Sequence, residues 1–343
     1  MFSPQKVWSR RKDIAGSLMY WSGLSRGFEV LTQPVGAIIL MYHSVAPDHL
    51  AGAIDPPNRL IPESFERQMA YLRRHRNVVS MTELVSQLEA GNALPAGTVC
   101  ITFDDGYLDN LTTAAPILEK YELPATLFLP TAYIDRAETQ WADLLHCCFA
   151  NRTGNALDLP QLSLRADLSV EEQRARARRA VHLKLLQATY PERCDLFRVL
   201  KDQLQPMIPG DQLTMGWDDV RTLVRRYPRF EIGGHSQHHI DLKAHSGAFA
   251  QQEIVGCAKD IERELGVRPQ HFSFPYGRWS DETRSMVRAA GWRSSVGASA
   301  KFRIDTSSDR FAMPRPATPN SMTDLRFRTS GAYPGVLAMI GLH

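Results

Sequence analysis

Ile101-Thr102-Phe103-Asp104-Asp105-Gly106-Tyr107 is the stretch whose reading decides the fold of this chain. Apolar and β-branched residues lead into it from Val99, which predicts a buried strand that stops at two adjacent carboxylates. Gly106 lets the backbone turn without a Cβ penalty, and Leu111, Ala115 and Leu118 then recur at helical spacing. Adjacent aspartates at the end of a buried strand repel each other and lose solvation. Such a pair is stable only when a cation, a proton or several donors neutralise it. The plainer alternative makes Asp105-Gly106 a turn and Asp104 the cap of the next helix.

On either side of this stretch, strand and helix patterns alternate. Upstream, Ala37–Tyr42 reads as a strand ending at His43-Ser44, and Pro62 opens a helix with Phe65, Met69 and Leu72 on one face. Val78-Val79-Ser80 reads as a short strand, followed by a helix that Thr82 caps and Gly91 closes. Downstream, Ala125–Leu129 is the next strand, stopped by Pro130. From about 135 to 215 no strand pattern stands out. Long helical runs such as 171–190 predict a helical insertion that roofs or flanks the site. Alternation resumes at Trp217, with strands expected at 230–232, 271–274, 292–296 and 310–313, and with helices over 249–265 and from a Ser280 cap to Gly291.

Seven or eight strands with intervening helices predict an α/β fold, a distorted parallel (β/α)7-8 barrel with its site at the C-terminal strand ends. His43, Asp104, His235, Tyr276 and Arg315 each follow such an end. The expected organisation is a barrel over 34–316, the insertion at about 135–215 within it, and a C-terminal tail over 317–343.

Composition narrows the class. At 43% apolar and 22% charged, 343 residues are ordinary for a soluble globular protein and enough for one large domain or two. A net charge of +3 leaves no electrostatic footprint for nucleic acid. The five cysteines are odd in number and lack metal-ligand spacing, so they read as free, mostly buried thiols of a reducing compartment.

The first 33 residues make no convincing signal peptide, because the apolar runs after Arg10-Arg11-Lys12 are short and flanked by charge. No apolar stretch is long enough to span a bilayer. Ile14, Leu18, Trp21 and Phe28 nevertheless share one helical face, opposite Lys6, Arg10, Arg11, Lys12 and Arg26. Two readings stand: a helix lying in a membrane interface, and a helix packed on the domain itself. The thiols and the lack of a convincing signal peptide place the chain in the cytoplasm, and the first reading makes it peripheral on the inner face of the cytoplasmic membrane. The cluster Arg174, Arg176, Arg178 and Arg179 likewise reads either as a polyanion site or as a solvated helix face.

His235-Ser236-Gln237-His238-His239 sets two imidazoles four residues apart, and a helical turn there would put His235 and His239 on one face. With Asp105 they compose a His₂-carboxylate set suited to zinc or a similar divalent metal (cobalt, nickel, iron or manganese), with a position left for water.

Together these motifs resemble the polysaccharide deacetylases, the NodB-homology family also called carbohydrate esterase family 4. Thr102 through Tyr107 is similar to its first motif, His235 through His239 followed by Asp241-Leu242 to its second, and Phe274-Pro275-Tyr276-Gly277 to its third. The resemblance spans roughly 36–316 less the insertion. Two departures matter. Ser273 stands where the third motif commonly begins with an arginine, and the usual late Leu-x-His is missing. Met41-Tyr42-His43 stands instead at the first strand's end, which resembles the permuted branch that includes poly-N-acetylglucosamine deacetylases.

The resemblance implies removal of an N-acetyl group from an amino sugar. Asp105, His235 and His239 would hold the metal, Asp104 would act as general base, and His43 would protonate the departing amine. The backbone N–H of Tyr276 would help bind the oxyanion, and Tyr107, Pro275 and Tyr276 would touch substrate. A general base beside a metal needs an orienting donor, and Ser273 is too short. Arg315, between Pro314 and Pro316 past the last strand, is expected to replace the absent arginine; capping a surface carbonyl or touching substrate are the alternatives. The interfacial N-terminus extends the expectation to a lipid-linked saccharide of envelope or exopolysaccharide synthesis. Removal of another acyl group such as formyl, or an inactive saccharide-binding or scaffolding barrel, are the competing functions.

Overall fold

The computed structural model describes residues 36–245, 247–298 and 302–330; the amphipathic segment over 1–33 lies outside them. The chain runs β1 (Ala37–Tyr42), β2 (Ser44–Val45), β3 (Arg59–Leu60), α1 (Pro62–His75), β4 (Asn77–Val78), α2 (Met81–Glu89) and β5 (Thr98–Asp104). There follow α3 (Ala115–Lys120), β6 (Ala125–Leu129), α4 (Thr131–Arg136), α5 (Trp141–Ala150), β7 (Ala156–Leu159), β8 (Leu164–Asp167), α6 (Glu171–Gln187) and α7 (Tyr190–Leu204). The last elements are α8 (Trp217–Arg226), β9 (Phe230–Gly234), α9 (Ala248–Leu265), β10 (His271–Ser273), α10 (Asp281–Ala289), β11 (Ser294–Gly297), β12 (Met313–Pro314) and α11 (Met322–Thr329).

The main sheet follows the order β1-β5-β6-β9-β10-β11-β12 with every pair parallel, and β4 lies against the start of β5. Ala37 and Ile304 exchange two backbone hydrogen bonds, of 2.8 and 2.9 Å, and so tie β1 to the segment between β11 and β12. The result is a nearly closed α/β barrel, as the alternating pattern predicts.

All seven residues of β5 are buried, as a strand covered on both faces requires. Its period-2 alternation sorts them. Val99, Ile101 and Phe103 join Ile38, Leu40 and Tyr42 of β1 and Phe65, Met69 and Leu72 of α1 in one core. Cys100 joins Ala37, Ile39, Phe128, Val296 and Met313 in a second, to which α2 adds Met81, Leu84 and Val85. Thr102 and Asp104 share the face of Cys100, so alternation alone carries Asp104 to the barrel mouth. Each fully buried Leu, Ile or Phe contributes about 1.5–3 kcal/mol relative to exposure.

Three local expectations are corrected. Helix α2 is capped by Ser80, whose hydroxyl accepts from the Glu83 N–H while the Glu83 carboxylate accepts from the Ser80 N–H. Ser80 has the acidic residue three positions on that completes this reciprocal pair; Thr82 has Val85 there, and its hydroxyl meets His271 instead. The insertion also contains strands. β7 and β8 form an antiparallel hairpin, with Leu157, Leu159, Leu164 and Ala166 turned into the insertion's own core beside Ala177, Val181 and Leu200. Two four-residue runs are too short for their alternation to stand out. Lastly, the chain past Pro316 includes α11, whose Leu325 is buried in the first core.

No described helix is long and apolar enough to cross a membrane.

Candidate active site

Strand β5 delivers Asp104 and then turns at once, because Asp105 (φ 73°) and Gly106 (φ 69°) both take the left-handed conformation. A Cβ on Gly106 would stand 2.6 Å from the Ile134 side chain, so glycine is needed for space as well as for φ. Strand β9 delivers His235 in the same way, and a Cβ on its last residue, Gly234, would lie 2.4 Å from Trp292. The following segment is not the helical turn expected from the His spacing. Left-handed Ser236 (φ 60°) and His239 (φ 47°) bend it back, and the two imidazoles still meet with centroids 4.8 Å apart. His238 points away, onto Glu253 at 2.7 Å. Such strained residues persist only where surrounding contacts hold them.

Asp105, His235 and His239 come together with their ligand atoms all within 4.8 Å of one another. The direction of each lone pair follows from the second nitrogen. Nδ1 of His235 lies 2.7 Å from the Ser273 carbonyl, which can only accept, so the proton sits on Nδ1. Nδ1 of His239 lies 3.1 Å from the Tyr276 hydroxyl, whose own proton goes to the His239 carbonyl at 2.8 Å. That nitrogen must therefore be the donor as well. Both Nε2 atoms are left as acceptors, facing Asp105 Oδ1 at 3.6 and 3.2 Å. Oδ1 itself is buried without a hydrogen-bond partner.

Three acceptors converge with no donor among them, which suits a divalent cation held by neutral imidazoles and a carboxylate. The electrostatics agree. Burial, then the Asp104 and Asp143 carboxylates, push Asp105 well above the usual carboxylate range, so an ionised Asp105 needs a compensating positive charge. Burial, then His235 and Arg193, keep His239 well below the usual imidazole range and hence neutral.

The neighbouring Asp104 is balanced differently. Arg315, arriving at the end of β12, grips both its oxygens, at 2.8 and 2.7 Å, and also donates to Thr102 Oγ1 (3.0 Å) and Ser273 Oγ (2.6 Å). Its guanidinium lies over the Phe128 ring at 5.3 Å. Burial alone would raise the Asp104 carboxyl, but the Arg315 guanidinium outweighs it and holds the group below its ordinary range. Ser273 thus leaves room for an arginine that reaches the same carboxylate from another strand. Arg315→Lys keeps a charge and loses the fork, so turnover should fall roughly tenfold or more with metal content unchanged. Arg315→Ala should also cost about 3–5 kcal/mol of stability, since it strands a buried carboxylate. Wild-type kinetics in the Lys variant would refute a positioning role.

His43 lines the mouth between β1 and β2. Its loop is clamped by two residues that sequence reasoning did not single out. Asp109 accepts from Ser44 Oγ (2.6 Å) and the Val45 N–H (2.7 Å), and Asn110 donates to the His43 carbonyl at 2.8 Å. Both lie at the π-helical turn Asn110–Ala114 that precedes α3. Burial, opposed by Asp104 and helped by Arg315 and His235, pushes the His43 imidazole down to about 4.

Two expected substrate contacts are not where the motif reading puts them. The Tyr107 ring is fully buried and its hydroxyl donates to Asp143 at 2.7 Å, while Pro275 is buried too; neither lines the cavity. Tyr276 does line it.

Asp143, which also accepts from the Asp55 N–H, is a further buried acid, pushed up by burial to about 7. The folded chain then keeps a proton that the unfolded chain releases. This contribution is full below about pH 4 and is lost as pH rises towards 7. At about 1.4 kcal/mol for each pH unit, the whole difference is about 4 kcal/mol. Wild-type stability should therefore fall relative to Asp143→Asn across that window, and parallel urea midpoints would refute the assignment.

The cavity over these groups measures about 360 Å³ and is lined by Asp104, Asp105, His43, His235, His239 and Arg315 on the barrel side. Gln140, Trp141 and His182 of the insertion line it too, so the insertion flanks the site. Gln140 donates to the Asp105 carbonyl at 3.0 Å. Of the arginine cluster, Arg178 reaches Asp55 at the cavity edge (2.8 Å), while Arg176 and Arg179 are exposed.

Comparison with known proteins bears on this geometry. The chain is 33% identical over 98 residues, 28% of its length, to YxkH of Bacillus subtilis (strain 168), a protein named as a candidate polysaccharide deacetylase; the match spans a third of that protein. Among solved structures, the deacetylase PplD of Streptococcus pyogenes, in complex with acetate, superposes with a TM-score of 0.56 at 16% identity over 87% of this chain and 99% of that one. IcaB of Ammonifex degensii also gives 0.56, at 17% identity over 86% and 97%. These two likenesses carry the fold. The family model described as polysaccharide deacetylase matches residues 91–295, a stretch that holds both aspartates, both facing histidines and Tyr276, with His43 and Arg315 on either side of it. With more than half its length under that model and a barrel shared with deacetylase structures, the chain belongs to the polysaccharide deacetylase family.

Proposed function

We propose that the chain is a metal-dependent hydrolase that removes the N-acetyl group from an amino sugar. The observation that carries this reading is the convergence of Asp105 Oδ1 and the two Nε2 lone pairs on one donor-free point beside an ionised Asp104. Asp105, His235 and His239 would hold the ion, and zinc fits the nitrogen-rich set best. When bound, it supplies the Lewis acidity that activates a water and polarises an amide carbonyl.

The remaining work falls to the chain. Asp104, kept ionised and unable to rotate in the Arg315 fork, takes the proton of the attacking water. The fork also keeps that carboxylate from swinging onto the ligand set. The Tyr276 backbone N–H faces the acyl oxygen as its charge develops. An amide nitrogen cannot leave as an anion at neutral pH, so His43 delivers a proton to it. Because His43 rests neutral, that proton must reach it during turnover, and the one Asp104 removes from water is available.

A cavity of about 360 Å³ walled by Trp141, His182 and Tyr276 suits a small saccharide unit. The cationic, aromatic sequence of residues 1–33 supports a lipid-linked saccharide of envelope or exopolysaccharide synthesis, met at the inner face of the cytoplasmic membrane. The test is acetate release from an N-acetylated chito-oligomer by the purified chain, with its metal content measured alongside. Formate from an N-formyl analogue, without acetate release, would make it a deformylase. Neither turnover nor bound metal would leave a saccharide-binding barrel. Mass spectrometry of lipid-linked saccharides from cells with and without the protein tests the finer substrate.

A further inference from the structure

The insertion does more than wall the cavity. Arg193, in the opening turns of α7, is 1% exposed and ranks first by volume among the fully buried side chains. A cation near a helix N-terminus opposes the helix dipole, and no carboxylate pairs with Arg193 among the described residues. A buried guanidinium in that position is costly. Its donors instead reach neutral oxygens of the site: Nη1 to the carbonyls of His239 (2.9 Å) and His238 (3.1 Å), and Nη2 to the Tyr276 hydroxyl (3.1 Å). Nε is anchored on the Leu185 carbonyl (3.0 Å) and the plane lies over Trp141 at 5.2 Å.

We infer that Arg193 is a positioning residue that fixes the ring and tautomer of His239 through the Tyr276 hydroxyl and the His239 carbonyl. The inference rests on reading Asp105, His235 and His239 as metal ligands. Trp141 Nε1 (2.7 Å) and Arg193 Nη2 both donate to the Tyr276 oxygen. Two lone pairs thus serve three N–H groups, with Arg193 Nη2 and His239 Nδ1 sharing one at 3.1 Å each, while the single hydroxyl proton goes to the His239 carbonyl. Nδ1 therefore carries the imidazole proton and Nε2 is free to ligate. Without Arg193 the hydroxyl could turn its proton onto Nδ1, which moves the imidazole proton to Nε2 and blocks ligation. Arg193 also helps pin the carbonyl of a left-handed, non-glycine residue, a strained conformation that needs external support. The sequence separates Arg193 from His239 by 46 residues, and only the insertion's fold joins them.

The test compares full-length wild type with Arg193→Met, Arg193→Lys and Tyr276→Phe. Affinity for Zn²⁺ is read by competition with a chromophoric chelator, and kcat and KM on an N-acetylated chito-oligomer are read separately. Arg193→Met should bind Zn²⁺ about 10- to 100-fold more weakly, as expected for loss of an outer partner of a ligating histidine. Its kcat should fall with little change in KM, and Arg193→Lys should recover part of both losses. Tyr276→Phe, which removes the hydroxyl and leaves the buried charge in place, should weaken Zn²⁺ binding in the same direction. A folded Arg193→Met that matches wild type in Zn²⁺ affinity would overturn the inference. If that variant does not fold, unchanged Zn²⁺ affinity in Tyr276→Phe would overturn it instead. A wild-type chain that binds no metal would overturn the metal-site reading itself, a result distinct from either.

Discussion

Asp104→Asn is expected to lower deacetylation by about 10²- to 10⁴-fold, the range for loss of a positioned general base. The amide keeps the shape of the carboxylate and can still accept from Arg315, so the barrel mouth should be preserved. It cannot take a proton from water. Asp105, His235 and His239 are untouched, so metal content should equal that of wild type. Single-turnover rates and elemental analysis on the same preparations check both halves. An Asn variant that retains more than a tenth of wild-type turnover would remove Asp104 from the base role, and one that loses its metal would make it a ligand.

The second large effect is expected from His239→Ala, and equally from His235→Ala: stoichiometric metal should be lost and turnover should drop to background. Two protein ligands remain in either variant, and a three-ligand catalytic site does not survive that loss. A thermodynamic readout accompanies the kinetic one. Metal bound only by the folded chain stabilises it by mass action, so a chelator should lower the melting temperature of wild type and leave either variant's unchanged. A His239→Ala protein that still melts lower on chelation, and still turns over, would be incompatible with the ligand assignment.

The barrel was legible because its signal is long-range and redundant. Ala37–Tyr42, Ala125–Leu129 and most of 98–104 are continuous apolar runs that occupy the strands they predict. The hairpin at β7 and β8 was not, because four residues of alternation carry little weight beside the helical runs around them. For the site, adjacency in sequence was what could be read: Asp104-Asp105-Gly106 and His235 through His239 each carry their own spacing. Tyr107 shows where that reading fails. A motif position says that a residue is near the chemistry, while burial against Asp143 decides whether substrate can touch it. Arg193 and Trp141 left no local trace, since a buried guanidinium and an indole acquire their roles only when the insertion folds back over β9 and β10.

The fork between Arg315 and Asp104 joins two positions 211 residues apart. In synthesis from N- to C-terminus, then, the paired aspartates emerge 211 residues ahead of the guanidinium that one of them requires. The strands up to β11 on their own bring two acids to an unfinished mouth. Sealing that mouth awaits the segment that supplies Ile304, Met313 and Arg315 in succession. A chain that stops short of β12 would therefore lack both the pairing along β11 and the charge that balances Asp104.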